Sequence, residues 1–332
     1  MDDKELNEAL LNEAETPEED KVGASWKAEG VPESEVWTIA DTEAASKEKK
    51  TAPTKKKLVF YATVAVLLIA FAASAFLIGK YVLEGKKEAA MYEQLAQQAA
   101  ASVAATEPSV NMMPGTAATE QTVPAYTGPI YDPTQILPEI KTYYEANDHT
   151  IGYIEIPDTK LNYPIVQTPD NPNYYLKRNF ERNASERGAI YAWETADFNA
   201  PSDNVTLFGH NMKDGTMFAS LLAYQNKEHW EKNSLINVNT LYERHTYKIF
   251  AVFKCSANLD DPTYFSYHDF TDAATKEEYE AFVNECKAKS FYDTGITPVW
   301  VDENTRDKMI CLSTCEYTLD NGRFVVCAVR WT

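Results

Sequence analysis

The chain has 332 residues, room for two average domains, and it carries 31 Lys and Arg against 50 Asp and Glu, a formal net charge of −19. No basic cluster stands in its C-terminal region, which excludes a nucleic-acid partner, because a phosphate backbone is held through grouped Lys and Arg. Cys255, Cys286, Cys311, Cys315 and Cys327 are odd in number and lack CxxC or zinc-like spacing, and His149, His210, His229, His245 and His268 form no ligand pair, so neither a metal nor a cofactor is expected.

Residues 1–57 hold fifteen acidic residues against nine Lys and few large apolar side chains. Such a segment buries too little surface to order itself, and a disordered acidic tail is expected. Residues 58–79 are uncharged and almost wholly apolar, which as a helix matches a hydrocarbon core of about 30 Å and predicts a transmembrane span. Lys47, Lys49, Lys50, Lys55, Lys56 and Lys57 precede it, against Lys80, Lys86 and Lys87 after it. That bias places the N-terminus in the cytoplasm and the rest outside the cell membrane, a single-pass topology. Residues 80–132 follow as an extracellular stalk and linker. Their first part is rich in Ala, Gln and Glu with Met91, Leu95 and Val103 near helical spacing, and their second is rich in Pro.

The folded domain is expected over 133–332. A helix is predicted over Thr134–Asn147, and short strands over 152–156, 161–167, 188–193, 204–209, 235–239, 246–254, 297–301, 308–314 and 323–331. Many short strands broken by Pro, Gly and Asn predict a mainly β fold, a closed or nearly closed barrel without unpaired edges. Two helices interrupt the series. Thr216–Gln225 is expected to start at Asp214 or Gly215, and Ala273–Lys289 sets Tyr279, Phe282, Val283 and Cys286 on one face.

The chemistry concentrates near the C-terminus. Apolar residues run into Cys315, the turn-prone Asp320-Asn321-Gly322 follows, and a second apolar run opens at Arg323, which reads as two neighbouring strands joined by a short loop. Cys315 and Arg323 then share one end of a sheet. A thiol becomes a strong nucleophile as a thiolate, and a nearby guanidinium favours an anion and can hold an oxyanion. Arg330, on the same strand, lies seven residues on and therefore faces the other way. Alternation puts Cys311, Ser313 and Cys315 on one face. Cys255, Cys286 and Cys327 read as small packing residues. The proton carrier is His210, at the end of the apolar run Asn204–Phe208 with Gly209 leaving room for close approach. A thiol, an imidazole and a guanidinium at three strand ends suit acyl transfer.

On Leu312-Ser-Thr-Cys315-Glu316, Phe208-Gly-His-Asn-Met-Lys-Asp-Gly215 and the Arg that opens the next strand, the chain from about residue 130 onward resembles the class B sortases, membrane-anchored surface transpeptidases of Gram-positive bacteria. The family usually has Thr where Cys311 stands and Tyr where Phe208 stands, and the Cys315–Arg323 loop is short. The resemblance implies an eight-stranded barrel with inserted helices, a long one marking the class. It implies Cys315 as nucleophile, His210 as general acid and Arg323 as stabiliser of substrate and oxyanion, with Leu176, Tyr264, Phe265 and Ser313 as substrate contacts. Glu316, next to the nucleophile, is expected either to contact substrate or to orient Arg323. The implied substrate is the C-terminal sorting-signal peptide of a secreted protein, and the acceptor a peptidoglycan amine. A pilin lysine as acceptor, or an inactive anchored peptide-binding module, are the alternatives.

Overall fold

A computed structural model describes residues 55–105 and 135–332. The acidic tail and the Pro-rich linker lie outside the described residues.

Among the described residues, four α-helices and ten strands follow one another: α1 (Lys55–Ala105), α2 (Pro138–Ala146), β1 (Thr150–Glu155), β2 (Asn162–Val166), β3 (Ile190–Ala192), β4 (Asn204–Phe208), α3 (Lys227–Lys232), β5 (Leu235–Thr240), β6 (Arg244–Ser256), α4 (Lys276–Lys289), β7 (Trp300–Asp302), β8 (Thr305–Arg306), β9 (Met309–Cys315) and β10 (Gly322–Arg330). Eight of the strands close a barrel in the order β1-β2-β3-β4-β9-β10-β6-β5. Only β2–β3 and β4–β9 are parallel, and parallel neighbours need a crossover rather than a hairpin. Between β2 and β3 the crossover carries a 3-10 turn at Tyr174–Lys177. The β4–β9 crossover is long and carries α3, β5, β6, α4 and the β7–β8 hairpin.

Strand alternation sorts the side chains into two layers. Val205, Leu207, Ile310, Leu312, Phe324 and Val326 pack in one apolar cluster with β1, β2 and β5. Their sequence neighbours Cys311, Val325 and Cys327 turn to the opposite layer, where Tyr279, Phe282, Val283 and Cys286 of α4 cover them. A register shift opposite Cys327 and Ala328 leaves Phe250 as an extra residue in β6, so Phe250 and Ala251 both face the α4 layer. Helix α4 starts where its cap allows: Thr275 Oγ1 accepts from the Glu278 N–H at 3.3 Å, and the Glu278 carboxylate accepts from the Ala274 N–H at 2.8 Å.

Two expectations change. The 297–301 strand forms β7, which pairs with the two-residue β8 outside the barrel. The Thr216–Gln225 helix is instead a 3-10 segment over Ala219–Gln225 followed by α3, because Met217 takes a left-handed backbone with φ 55° that no α-helix admits. The helix expected over the first part of the stalk is present. Helix α1 runs unbroken to Ala105, and its residues from Phe76 onward belong to one compact unit with the barrel. Met91, Tyr92, Leu95 and Ala99, at helical spacing, pack with Tyr143, Val166, Tyr175 and Phe180, while Val103 stays exposed. Earlier in α1, Leu58–Ile78 present exposed apolar side chains, a stretch long and apolar enough to cross a membrane.

One buried charge holds the lower end of the site-bearing strands. Asp203, wholly buried beside β4, accepts from Lys308 Nζ at 2.8 Å, from Arg306 and from the Ala273 N–H at 3.0 Å. Burial alone would raise its pKa, but these bonds outweigh that and hold the carboxyl below its usual range. Its stabilisation is therefore complete above the unfolded carboxylate value near pH 3.9 and is lost as pH falls through the lower folded value. Asp203→Ala, which strands two cations, is expected to cost about 3 kcal/mol in urea unfolding at neutral pH.

Candidate active site

Cys315 and Arg323 are directly paired across β9 and β10, and opposed residues of an antiparallel pair project from the same face. The third group arrives through the parallel pairing of β4 with β9, which sets Phe208 against Ser313. The Gly209 N–H donates to the Ser313 carbonyl at 3.2 Å. A Cβ on Gly209 would lie 2.5 Å from Ile190 Cδ1 and 2.8 Å from the Phe218 ring, so only glycine lets the chain turn here and present His210 at the rim. Asn211 then closes the corner, its amide donating to the Cys315 carbonyl at 3.1 Å.

The imidazole is held from two sides. His210 Nε2 lies 2.7 Å from the Leu176 carbonyl oxygen, which only accepts, so Nε2 carries a proton and Nδ1 is the nitrogen left for exchange. On the other side, a Cβ at Gly188 (φ 61°) would stand 3.1 Å from His210 Cδ2 and 2.7 Å from the Tyr175 carbonyl.

Arg323 Nη1 donates to the Asn321 and Gly322 carbonyls at 3.2 and 3.0 Å, which turns the guanidinium over the β9–β10 loop. Asn321 takes the left-handed conformation (φ 48°) of that turn. Glu316 braces the same loop. Its carboxylate accepts from Lys254 Nζ at 2.9 Å and from the Thr318 and Leu319 N–H groups at 2.9 and 3.2 Å. Burial would raise its pKa, yet the Thr318 and Lys254 bonds keep it below the usual range.

A groove of about 440 Å³ receives these groups. Seven of the eight residues singled out from sequence line it: Leu176, His210, Tyr264, Phe265, Ser313, Cys315 and Arg323. Glu316 does not, and it bonds Lys254 and the loop rather than Arg323. Ser313 Oγ is 2.6 Å from the Tyr267 hydroxyl, and burial drives that phenol's pKa far up, so it stays neutral. Other residues line the groove that were not singled out from sequence as site residues, among them Trp193, His268 and Asn173. Trp193 stacks edge-on against His268 at 4.8 Å, and Asn173 lies beside Leu176. The signal for His268 was its aromatic surroundings, which read equally as packing; burial lowers its pKa.

Only one thiol faces the groove. Cys315 is partly exposed, whereas the four other cysteines are buried and unbridged. Burial pushes Cys255 up to about 12 and raises Cys286 and Cys327, which keeps them protonated packing residues.

Comparisons with known proteins agree with this geometry. The family model for the sortase domain matches residues 154–331. Sortase B of Staphylococcus aureus is 28% identical over 195 residues, 58% of this chain and 75% of that relative. Sortase B of Listeria monocytogenes is 27% identical over 194 residues, covering 58% and 74%. In three dimensions, a Staphylococcus aureus sortase B–substrate complex superposes with a TM-score of 0.58 at 25% identity, covering 75% of this chain and 99% of that one. With a matched domain spanning more than half its length, and a barrel that sets one accessible thiol opposite an arginine, the chain belongs to the sortase family, as a cysteine transpeptidase of class B.

Proposed function

We propose that Cys315, His210 and Arg323 carry out the transpeptidation, cleaving the C-terminal sorting signal of secreted proteins and passing the acyl group to a peptidoglycan amine. The observation that carries this reading is the register pair Cys315–Arg323 opening on the groove that His210 also lines. The Cys315 thiol gives its proton to Nδ1 of His210, and the resulting thiolate attacks the scissile carbonyl and forms a tetrahedral oxyanion, which Arg323 holds. His210 gives a proton from Nδ1 to the leaving amine as the C–N bond breaks, leaving a thioester on Cys315. An acceptor amine then attacks the thioester, loses a proton to the imidazole and expels the thiolate. Leu176, Tyr264, Phe265 and Ser313 contact the peptide, and the Leu176 carbonyl orients the imidazole. Residues 58–79 anchor the enzyme in the cell membrane with the N-terminus cytoplasmic and the barrel outside, a reading supported by the Lys excess before the span. Protease treatment of intact cells should digest the barrel and spare the first 57 residues.

The direct test offers a library of sorting-type peptides with and without an added amine and looks for a thioester on Cys315 by mass spectrometry. A peptide that binds but never acylates Cys315 would refute the enzymatic assignment of these residues. Arg323→Lys is expected to lower kcat by about 10²–10³-fold, because a point charge does not reproduce a planar fork whose orientation is set by two loop carbonyls; unchanged turnover would remove Arg323 from the chemistry.

A further inference from the structure

Away from the groove, a second cavity of about 380 Å³ lies between α1 and the barrel, and Arg187 lines it. The Arg187 side chain is only 7% exposed, and its polar partners come from two directions. On the barrel side, Nη1 lies 2.6 Å from the Asp214 carboxylate and donates to Thr216 Oγ1 at 2.9 Å. On the helix side, Nε is 3.8 Å from the Glu88 carboxylate and the guanidinium carbon is 5.1 Å from the centre of the Tyr81 ring. A Cβ on Gly85 would stand 2.2 Å from the guanidinium nitrogen. Glycine is a poor residue for a helix interior; here its bare backbone is what admits the cation.

Asp214 and Thr216 sit in the loop that leaves His210. The loop closes on itself, with the Phe218 N–H donating to the His210 carbonyl at 3.0 Å and Asn211 bridged to Met217. The left-handed Met217 donates its N–H to the Tyr163 hydroxyl at 3.0 Å. Gly188, the residue after Arg187, is the one whose missing side chain leaves space for the His210 ring. Arg187 thus grips the loop beyond His210 while its neighbour Gly188 leaves the space that the ring occupies, and Arg187 is itself met by α1.

We propose that Arg187 is a positioning residue through which the Tyr81–Glu88 turn of α1 sets His210, so that the helix leading from the apolar span is a working part of the catalytic site. The inference rests on the assignment of His210 as general acid. Its test therefore includes a readout that does not need turnover. Full-length protein in detergent micelles is compared with Gly85→Val, Glu88→Gln, Arg187→Met and Arg187→Lys. The rates measured are sorting-peptide cleavage, expressed per titratable Cys315 thiol, and backbone hydrogen exchange over residues 210–218. Gly85→Val and Arg187→Met should lower kcat per thiol by about tenfold or more with KM within about twofold, and should speed exchange in that loop. Arg187→Lys should recover part of the rate, and Glu88→Gln should give a smaller effect of the same kind. Because Glu88→Gln removes one charge and no volume, it tests the link even if Gly85→Val does not fold. Wild-type kcat per thiol and unchanged loop exchange in Glu88→Gln and Arg187→Met would overturn the proposal and leave α1 a plain anchor. If the unaltered protein cleaves nothing, the role of His210 fails, while the exchange comparison still decides whether α1 and the loop are linked.

Discussion

Cys315→Ala is expected to abolish peptide cleavage and thioester formation while leaving peptide affinity within about twofold. Covalent catalysis divides one hard step into two, and the structure offers no substitute thiol: Cys311 and Cys327 are buried, their sulfurs 2.9 Å from each other, and Cys255 of β6 and Cys286 of α4 are buried in the layer between that helix and the barrel. Removal of a nucleophile leaves only the contribution of the remaining site, which in triad enzymes is a loss of about 10⁶-fold in kcat. The truncation removes one sulfur from a partly exposed position, so its cost to folding should be small. Calorimetry of peptide binding beside an acylation assay separates the effects. Residual acylation, traced by peptide mapping to another cysteine, would contradict the assignment, and so would a variant that cleaves at the native rate.

His210→Gln is expected to lower kcat by about 10²–10⁴-fold, the range of a lost acid–base catalyst. Glutamine retains an N–H for the Leu176 carbonyl, which imidazole now meets at 2.7 Å, but it cannot exchange protons. The defect should depend on the leaving group. A peptide amide needs a proton as it departs; an activated thioester of the same acyl sequence does not. Acylation of Cys315 by such a thioester should therefore proceed within about tenfold of the native rate in the variant. A variant equally slow with both acyl donors would mean that His210 acts by shaping the groove rather than by moving a proton.

How much of the site was legible in the sequence follows from how local each determinant is. Cys315 and Arg323 flank a turn whose residues name themselves, and an antiparallel hairpin converts that separation directly into a register pair. His210 was readable as a residue type at a strand end. Its neighbourhood with Cys315 depends on a parallel pairing between β4 and β9 that no short-range pattern specifies, and it came from the family resemblance. Glu316 was adjacent to the nucleophile in sequence and was read as a site residue, but its carboxylate satisfies loop N–H groups. The 297–301 run does show half-buried alternation, with Trp300 buried between exposed Val299 and Val301, yet its partner is two residues long, below what a pattern reveals. The docking of α1 was hidden because Gly85, Ala89, Ala96 and Ala99 make an apolar stripe of small residues with little hydrophobic contrast.

The strand order has a bearing on how the molecule matures. β9 and β10 follow the other barrel strands in the chain, yet they sit between β4 and β6, so a nascent polypeptide short of residue 309 has an open sheet whose edges, β4 and β6, are unsatisfied. Synthesis proceeds from the N-terminus, and contacts this distant in sequence form late. The wedge that seals the cylinder is also the piece that bears the sulfur and the guanidinium. A chain that stops short of that wedge therefore has neither a closed cylinder nor a nucleophile.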